Sequence, residues 1–400
     1  MPDNNFFNAN RFMNSIYLDN AATSYPKPKD VLEAMATYQQ SIGGSPGRSG
    51  HKRSIDAGRT IYKTREALAN LFHIDDPLNI ALLKNATEAL NIALQGGLRP
   101  GDHVITSSME HNSVMRTLRF MESRGVELTV VSCSPEGELD PADIGKVFKK
   151  NTKMIVLTHA SNVTGTIMPI EAVGSLIKAK GNMLFCVDAA QTAGALPIDV
   201  EKMSIDLLAF TGHKSLYGPQ GTGGLYVRSG LEKRIAPLMM GGTGSRSEFE
   251  EQPDFMPDKY ESGTPNTIGL AGLGAGVAYV LEQTIKVIRS REEQLTSAFL
   301  ELLKEFQDRV TVYGTADTAR RTAVVSFNLK DISPSDAALY FEDKHGILCR
   351  PGLHCAPSAH RTIGTFPQGT IRFSFSFFTT REDIDEAVGA IRDFLSIAAR

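Results

Sequence analysis

From Leu78 to Arg228 short apolar runs alternate with amphipathic stretches, and this alternation limits the possible folds more than any other feature of the chain. LNIALL (78–83), HVITSS (103–108), VELTVVSC (126–133), KMIVLTH (153–159), MLFCVD (183–188), IDLLAFTG (205–212) and GGLYVR (223–228) are short and rich in β-branched residues. Such runs suit strands buried on both faces. Between them, ATEALNIALQGGL (86–98), SVMRTLRFMESRG (113–125) and Ile170–Lys180 read as helices, with glycine stopping the first two. Alternation of this kind predicts an α/β fold with a mostly parallel, seven-stranded sheet covered by helices on both faces.

The pattern changes after Pro265. NTIGLAGLGAGVAYVLEQ continues into a charged helical stretch toward Phe306, predicting one long connecting helix. Strands follow at VTVYG (310–314), TAVVSFNL (322–329), GILCR (346–350) and TIRFSFS (370–376), with helices near Ser335–Lys344 and from Arg381. These elements read as a smaller α+β unit. The expected organisation is a polar, Asn-rich, disordered extension over 1–15 and a large domain over 16–265, whose first segment joins the small domain. The connecting helix and small domain fill 266–400. A chain of 400 residues suits two or three units at roughly 150 residues each.

Lys+Arg 42 against Asp+Glu 45 leaves a net charge of −3, without the basic footprint of a nucleic-acid binder. No apolar run approaches the roughly 20 residues of a membrane-spanning helix. The first 15 residues lack the basic and apolar regions of a signal peptide. The 4 cysteines are too few for a disulfide framework. Together these features predict a cytoplasmic protein with no nucleic-acid or membrane partner.

Ligands of open parallel sheets bind where strand ends meet loops and helix N-termini. Three chemically suggestive groups fall at such points. Lys84-Asn85-Ala86-Thr87-Glu88 lies between a strand and a helix, where backbone N–H groups and a hydroxyl hold an anion or simply cap the helix. Asp188 ends an apolar run, and a buried carboxylate there needs a cation or hydrogen-bond donors. Lys214, in FTGHKS after the apolar IDLLA, is placed to lose charge by desolvation and act as a nucleophilic amine. A lysine that forms a Schiff base, an aspartate for a ring nitrogen and a phosphate site together fit pyridoxal 5'-phosphate.

YLDNAAT (17–23), NATEALN (85–91), MEHNS (109–113), SNVTG (161–165), DAAQ (188–191), TGHK (211–214), ESGTPNT (261–267) and RPGLHCAP (350–357) occur in that order. Together they resemble the class V aminotransferase family, in its short-loop cysteine desulfurase branch, from Ile16 to the end. The resemblance implies the fold type I of pyridoxal-phosphate-dependent transferases. It also implies roles: Lys214 carries the cofactor, Asp188 pairs with the ring nitrogen, Gln191 meets the ring hydroxyl and His111 stacks on the ring. Ala86, Thr87, Thr211 and His213 bind phosphate, and Thr264 reaches the cofactor of a neighbouring subunit in a homodimer. Asn162 and Arg372 lie near the substrate carboxylate, for which arginine supplies a bidentate grip. Arg48 and His51 sit where the family often has site-lining residues.

Among the cysteines, Cys133, Cys186 and Cys349 lie in strands and read as packing. Cys355 instead sits in RPGLHCAPSAHRTIGTFPQG, whose glycines and prolines read as a mobile loop, with Arg350, Arg361 or a protonated His354 expected to favour its thiolate. The spacing of His345, Cys349, His354, Cys355 and His360 matches no structural zinc pattern, so no metal is expected. By resemblance Cys355 receives sulfur from L-cysteine as a persulfide and L-alanine leaves, with His111 assisting proton transfer. The sulfur would serve an acceptor protein in iron–sulfur cluster assembly or thiolation. An extra Ser215 and a slightly longer segment between Cys355 and Arg372 depart from the better-studied short-loop enzymes. Alternatives are a selenocysteine lyase, another class V lyase or transaminase, or a non-catalytic sulfur carrier on the same scaffold.

Overall fold

The computed structural model describes residues 15–47 and 50–398. Arg48 and residues 1–14 of the expected extension lie outside the described residues.

Strand β1 (Ile16–Tyr17) opens the described chain. The large sheet is built from β2 (Ile80–Leu83), β3 (His103–Ser107), β4 (Glu127–Val131), β5 (Thr152–Thr158), β6 (Leu184–Asp188), β7 (Leu207–Thr211) and β8 (Gly223–Val227). Its order is β2-β8-β7-β6-β5-β3-β4, and only β8 runs against its neighbours. Because β8 is antiparallel to both β2 and β7, the carboxyl ends of β2, β3, β5, β6 and β7 reach one edge. That edge is where such sheets bind ligands.

Period-two alternation sends successive side chains to opposite faces. Phe185 and Val187 of β6 and Leu208 and Phe210 of β7 enter one apolar cluster. Leu184, Cys186, Leu207 and Ala209 enter the cluster on the other face. Both faces are covered, so these runs are continuously apolar, and each fully buried Leu, Val or Phe contributes about 1.5–3 kcal/mol.

The smaller unit uses β9 (Val310–Tyr313), β10 (Val324–Leu329), β11 (Ile347–Leu348), β12 (Arg350–Gly352) and β13 (Thr370–Ser374). Four of them form an antiparallel sheet in the order β12-β13-β10-β9, while β11 pairs in parallel with β1. Phe299, Phe327, Phe341, Phe373 and Phe375 fill its core, with Phe327 and Phe373 edge to face at 5.0 Å. The pairing of β1 with β11 places the N-terminal segment in this unit.

Several local expectations change. The connecting helix is two helices, Thr267–Gln283 and Ile285–Leu303, bent by 81° where Thr284 takes a left-handed φ of 65°. GILCR is split between two sheets, because the chain leaves β1 after Leu348 and joins β13 at Arg350. LNIALL becomes a strand only from Ile80; Leu78 is in a single 3-10 turn and exposed. The segment after Cys355 is not a loose loop. Pro357–Thr362 is helical with proline at its first turn, and Ala356, Ala359 and Ile363 enter the main core. No single helix among the described residues is long and apolar enough to cross a membrane.

Candidate active site

A cavity of about 210 Å³ opens at the shared strand edge, lined by residues from eight separate segments, the first of them Ala21 and Ala22. From β2 and the helix after it come Asn85, Ala86 and Thr87, and from the turn after β3 come His111 and Ser113. Asn162, Asp188 with Gln191, and Thr211 with His213 and Lys214 follow from β5, β6 and β7. Arg350, His354 and Arg372 close it from the small unit.

Asn85 caps the helix Ala86–Gly97, its side chain accepting from Glu88 N at 2.9 Å. This leaves the first-turn N–H groups directed toward the cavity end of the helix. The close approach of β8 beneath this turn requires Gly223, where a Cβ would lie 2.8 Å from Asn85 Cα and 2.6 Å from Phe210 O. Thr87 Oγ1 is 2.7 Å from Ser113 Oγ, which links this helix end to the one behind His111.

His111 caps that second helix. Its Nδ1 accepts from Ser113 N at 3.1 Å, which places the ring proton on Nε2. Burial, with Lys214 and three arginines adding repulsion, lowers its pKa to about 4, so the imidazole is neutral. Behind it the buried Glu110 accepts from Ser107 Oγ at 2.6 Å and Thr158 N at 2.9 Å, fastening the β3 turn to β5. Burial raises Glu110 to about 8.

Asp188, 3% exposed, accepts from Ala190 N at 2.9 Å. Burial raises its pKa while that hydrogen bond and the nearby Lys214 charge oppose the rise. Lys214 is half-buried, and desolvation lowers its amine to about 8 despite attraction to Asp188. Gln191 Nε2 donates to Ala21 O at 3.1 Å. Thr211 Oγ1 and His213 Nδ1 are buried without partners, and burial lowers His213 to about 4.

Asn162 and Arg372, paired by the resemblance, lie in contact, and each has further partners. Arg372 Nη1 donates to Asn162 O at 3.0 Å and Nη2 to Asp19 Oδ1 at 2.6 Å. Asn162 Nδ2 donates to His354 O at 2.7 Å, tying the Cys355 turn to the large sheet. His354 and Cys355 both have left-handed backbones, φ 46° and 58°. Such residues cost on the order of 1–2 kcal/mol each, so the turn persists because its neighbours hold it. Asn112 N contributes, donating to Cys355 O at 2.9 Å.

Cys355 is exposed, just outside the cavity, with Arg350 Nη2 3.4 Å from Sγ. The expected protonated His354 is overturned: burial, with Arg372 and His360 nearby, drives its pKa well below 6.5, so it brings no charge. The Arg361 guanidinium lies over the Phe366 ring at 4.3 Å, leaving Arg350 as the cation on the sulfur. Cys186 is buried; Cys133 and Cys349 pack against the two cores.

Thr264 is not brought into this cavity. It lines another of about 220 Å³ with Lys84, Glu88, Met239 and Glu261. His51 caps the helix Lys52–Phe72 by accepting from Ser54 N, and Ser215 lines a small cavity behind Gln191. Asp19, Glu110 and Ser113 join the site without a role expected from the sequence, whereas Arg350 is expected beside the Cys355 thiol. Of the first three, Glu110 carries a sequence signal, a carboxylate three residues past the end of the β3 run.

The class-V aminotransferase family model matches residues 16–387. A probable cysteine desulfurase of Pyrococcus abyssi is 33% identical over 95% of this chain and 94% of its own. The structure of a cysteine desulfurase from Thermococcus onnurineus NA1 superposes with a TM-score of 0.89 at 32% identity, covering 96% of this chain and 95% of the other. A cysteine desulfurase from Escherichia coli gives 0.85 at 28% identity, covering 96% and 95%. The sheet order, the strand-edge cavity and these matches over nearly its whole length establish that the chain belongs to the class-V aminotransferase family.

Proposed function

We propose that this chain is a pyridoxal-phosphate-dependent cysteine desulfurase that transfers sulfur from L-cysteine to Cys355. The observation that carries this reading is the convergence of Asp188 and Lys214 from neighbouring strand ends onto one cavity, with the exposed Cys355 thiol at its rim.

The residues present fit the cofactor. The buried, partnerless Thr211 Oγ1 and His213 Nδ1, with the helix N-terminus at Ala86 and Thr87, supply unused hydrogen-bonding groups for a phosphate. Asp188 offers a desolvated carboxylate for a protonated ring nitrogen, Gln191 an amide for the ring hydroxyl, and His111 a neutral ring to stack. Lys214 is the amine that holds the group. When bound there, pyridoxal phosphate supplies an electron sink for the negative charge left at the substrate Cα.

With a pKa lowered to about 8, the Lys214 amine is partly neutral near physiological pH and suited to accept the Cα proton. Asn162 and Arg372 orient the substrate carboxylate. Cys355 Sγ attacks the substrate sulfur as the Cβ–S bond breaks. In sum, L-cysteine and the Cys355 thiol become L-alanine and a Cys355 persulfide, and no oxidant is consumed. The exposed position of the thiol suits onward transfer to an acceptor protein, and iron–sulfur cluster assembly or thiolation is the use we infer.

We infer a homodimer, with Thr264 serving the partner's cofactor site, because Thr264 is exposed and lies apart from the Lys214 cavity of its own chain. The exposed Met239, Met240 and Phe249 nearby offer apolar area for such an interface. The four free cysteines suit a reducing cytoplasm.

The test is alanine and sulfide release from L-cysteine with and without reductant, together with borohydride reduction and mass analysis of the Lys214 peptide. A cofactor adduct on Lys214 and equimolar alanine and sulfur support the reading. No adduct overturns it, as does faster turnover of selenocysteine that is independent of Cys355.

A further inference from the structure

Arg372 is 1% exposed, and a guanidinium this far from water is stable only with its donors matched. Nη2 donates to Asp19 Oδ1 at 2.6 Å, Nη1 to Asn162 O at 3.0 Å, and Nε has no partner. Asp19 lies 353 residues away in sequence and is brought in by β1, which seats the first segment on the small unit. Its backbone is fixed independently of the ion pair: Asp19 O accepts from Ala22 N at 3.0 Å, and Asp19 forms a bridge with Ser374. The carboxylate itself is 21% exposed, and the neighbouring Ala21 and Ala22 line the Lys214 cavity.

We propose that Asp19 stands in for the substrate carboxylate on Arg372 and sets how tightly that arginine grips an incoming α-carboxylate, as a positioning and selectivity residue. The proposal rests on reading Arg372 as the group that binds the substrate carboxylate. In the empty site Asp19 neutralises the guanidinium and fixes its plane through a short charge-assisted bond. An arriving α-carboxylate finds Nε free but meets a second negative charge on the same guanidinium. Repulsion between the two carboxylates offsets part of the attraction, so amino-acid ligands bind more loosely than an unencumbered arginine would hold them. Product L-alanine, which keeps the carboxylate, is released faster for the same reason. A ligand with no carboxylate escapes this repulsion.

Asp19→Asn separates these effects, because the amide oxygen still accepts from Nη2 while the charge is gone. The holoenzyme is titrated with L-alanine and with cysteamine, following cofactor absorbance. The expected result is L-alanine binding about fivefold tighter in D19N, the size of one partly screened charge contact, with cysteamine unchanged. The KM for L-cysteine falls in parallel while kcat stays within about twofold, a split that a merely structural defect does not give. L-Alanine affinity that is unchanged or weaker in D19N of wild-type cofactor content and near-UV circular dichroism overturns the proposal. If D19N does not fold, Asp19→Ser carries the same alanine-to-cysteamine comparison, with the same two outcomes. Failure of the wild type to release sulfur from L-cysteine would instead overturn the desulfurase reading and leave the alanine comparison standing, so the two failures are distinguishable.

Discussion

Lys27 Nζ donates to the carbonyl oxygen of His213 at 2.8 Å, one residue before the lysine at the centre of the site. The same oxygen accepts from Ser24 N at 3.0 Å and Thr23 Oγ1 at 3.1 Å, while Ser24 Oγ donates to Lys214 O at 2.9 Å. Residues 23–27 thus hold the backbone that carries the Lys214 amine. Burial lowers Lys27 to about 8. Lys27→Met removes a charge-assisted bond worth about 1.5 kcal/mol and loosens that backbone. The expected outcome is a lower melting temperature together with weaker cofactor retention on dialysis. Unchanged values for both would contradict this role.

The buried titratable groups predict a maximum in the stability of the cofactor-free protein near pH 6.5. His111, His159, His213 and His360 are lowered from 6.5 to about 4, and His354 lower still. The unfolded chain therefore binds more protons than the folded one below 6.5, and stability is lost as pH falls toward 4. Glu110 and Glu292 are raised from 4.5 to about 8, so they remove stability as pH rises through that window. Five histidines outweigh two glutamates below 6.5, and above it the glutamates lead until Lys27 and Lys214, lowered to about 8, begin to oppose them. Melting temperatures measured from pH 4.5 to 8 should rise and then fall; a monotonic rise to pH 8 would contradict the assignment of buried glutamates.

Glu261 grips Arg65 bidentately at 2.5 and 2.6 Å and also accepts from Leu82 N at 2.5 Å. It joins the helix Lys52–Phe72 to edge strand β2 and anchors the segment that carries Thr264. Glu261→Gln leaves a nearly buried arginine charge without its partner, a defect of about 3 kcal/mol. Chemical denaturation should show that loss, and a change below about 1 kcal/mol would mean that water replaces the carboxylate.

The parallel sheet was legible because its strands are buried on both faces, so Leu207-Leu208-Ala209-Phe210 reads as apolar without reference to partners. Asp188 and Lys214 were legible for the same reason, as polar groups that interrupt or end such runs. The helix Lys52–Phe72 was missed: its buried face includes Arg65 and Thr64, whose partners Glu261 and Leu270 O lie about 200 residues away. The break at Thr284 has no glycine or proline to announce it; the Thr284 side chain caps the second helix there by accepting from Val287 N. The helix after Cys355 was hidden by its prolines and glycines. Asp19 lies in YLDNAAT, but its partner Arg372 is 353 residues away and is met only where β1 joins β11.

The most direct test of the account is mass analysis of Cys355 after one turnover with L-cysteine in the absence of reductant. A gain of one sulfur atom on the wild-type Cys355 peptide, with L-alanine formed in equal amount, is the expected result. Cys355→Ala should retain its cofactor, carry no added sulfur and lose sulfur release. Undiminished sulfide production by that variant would contradict the assignment of Cys355 as the sulfur acceptor.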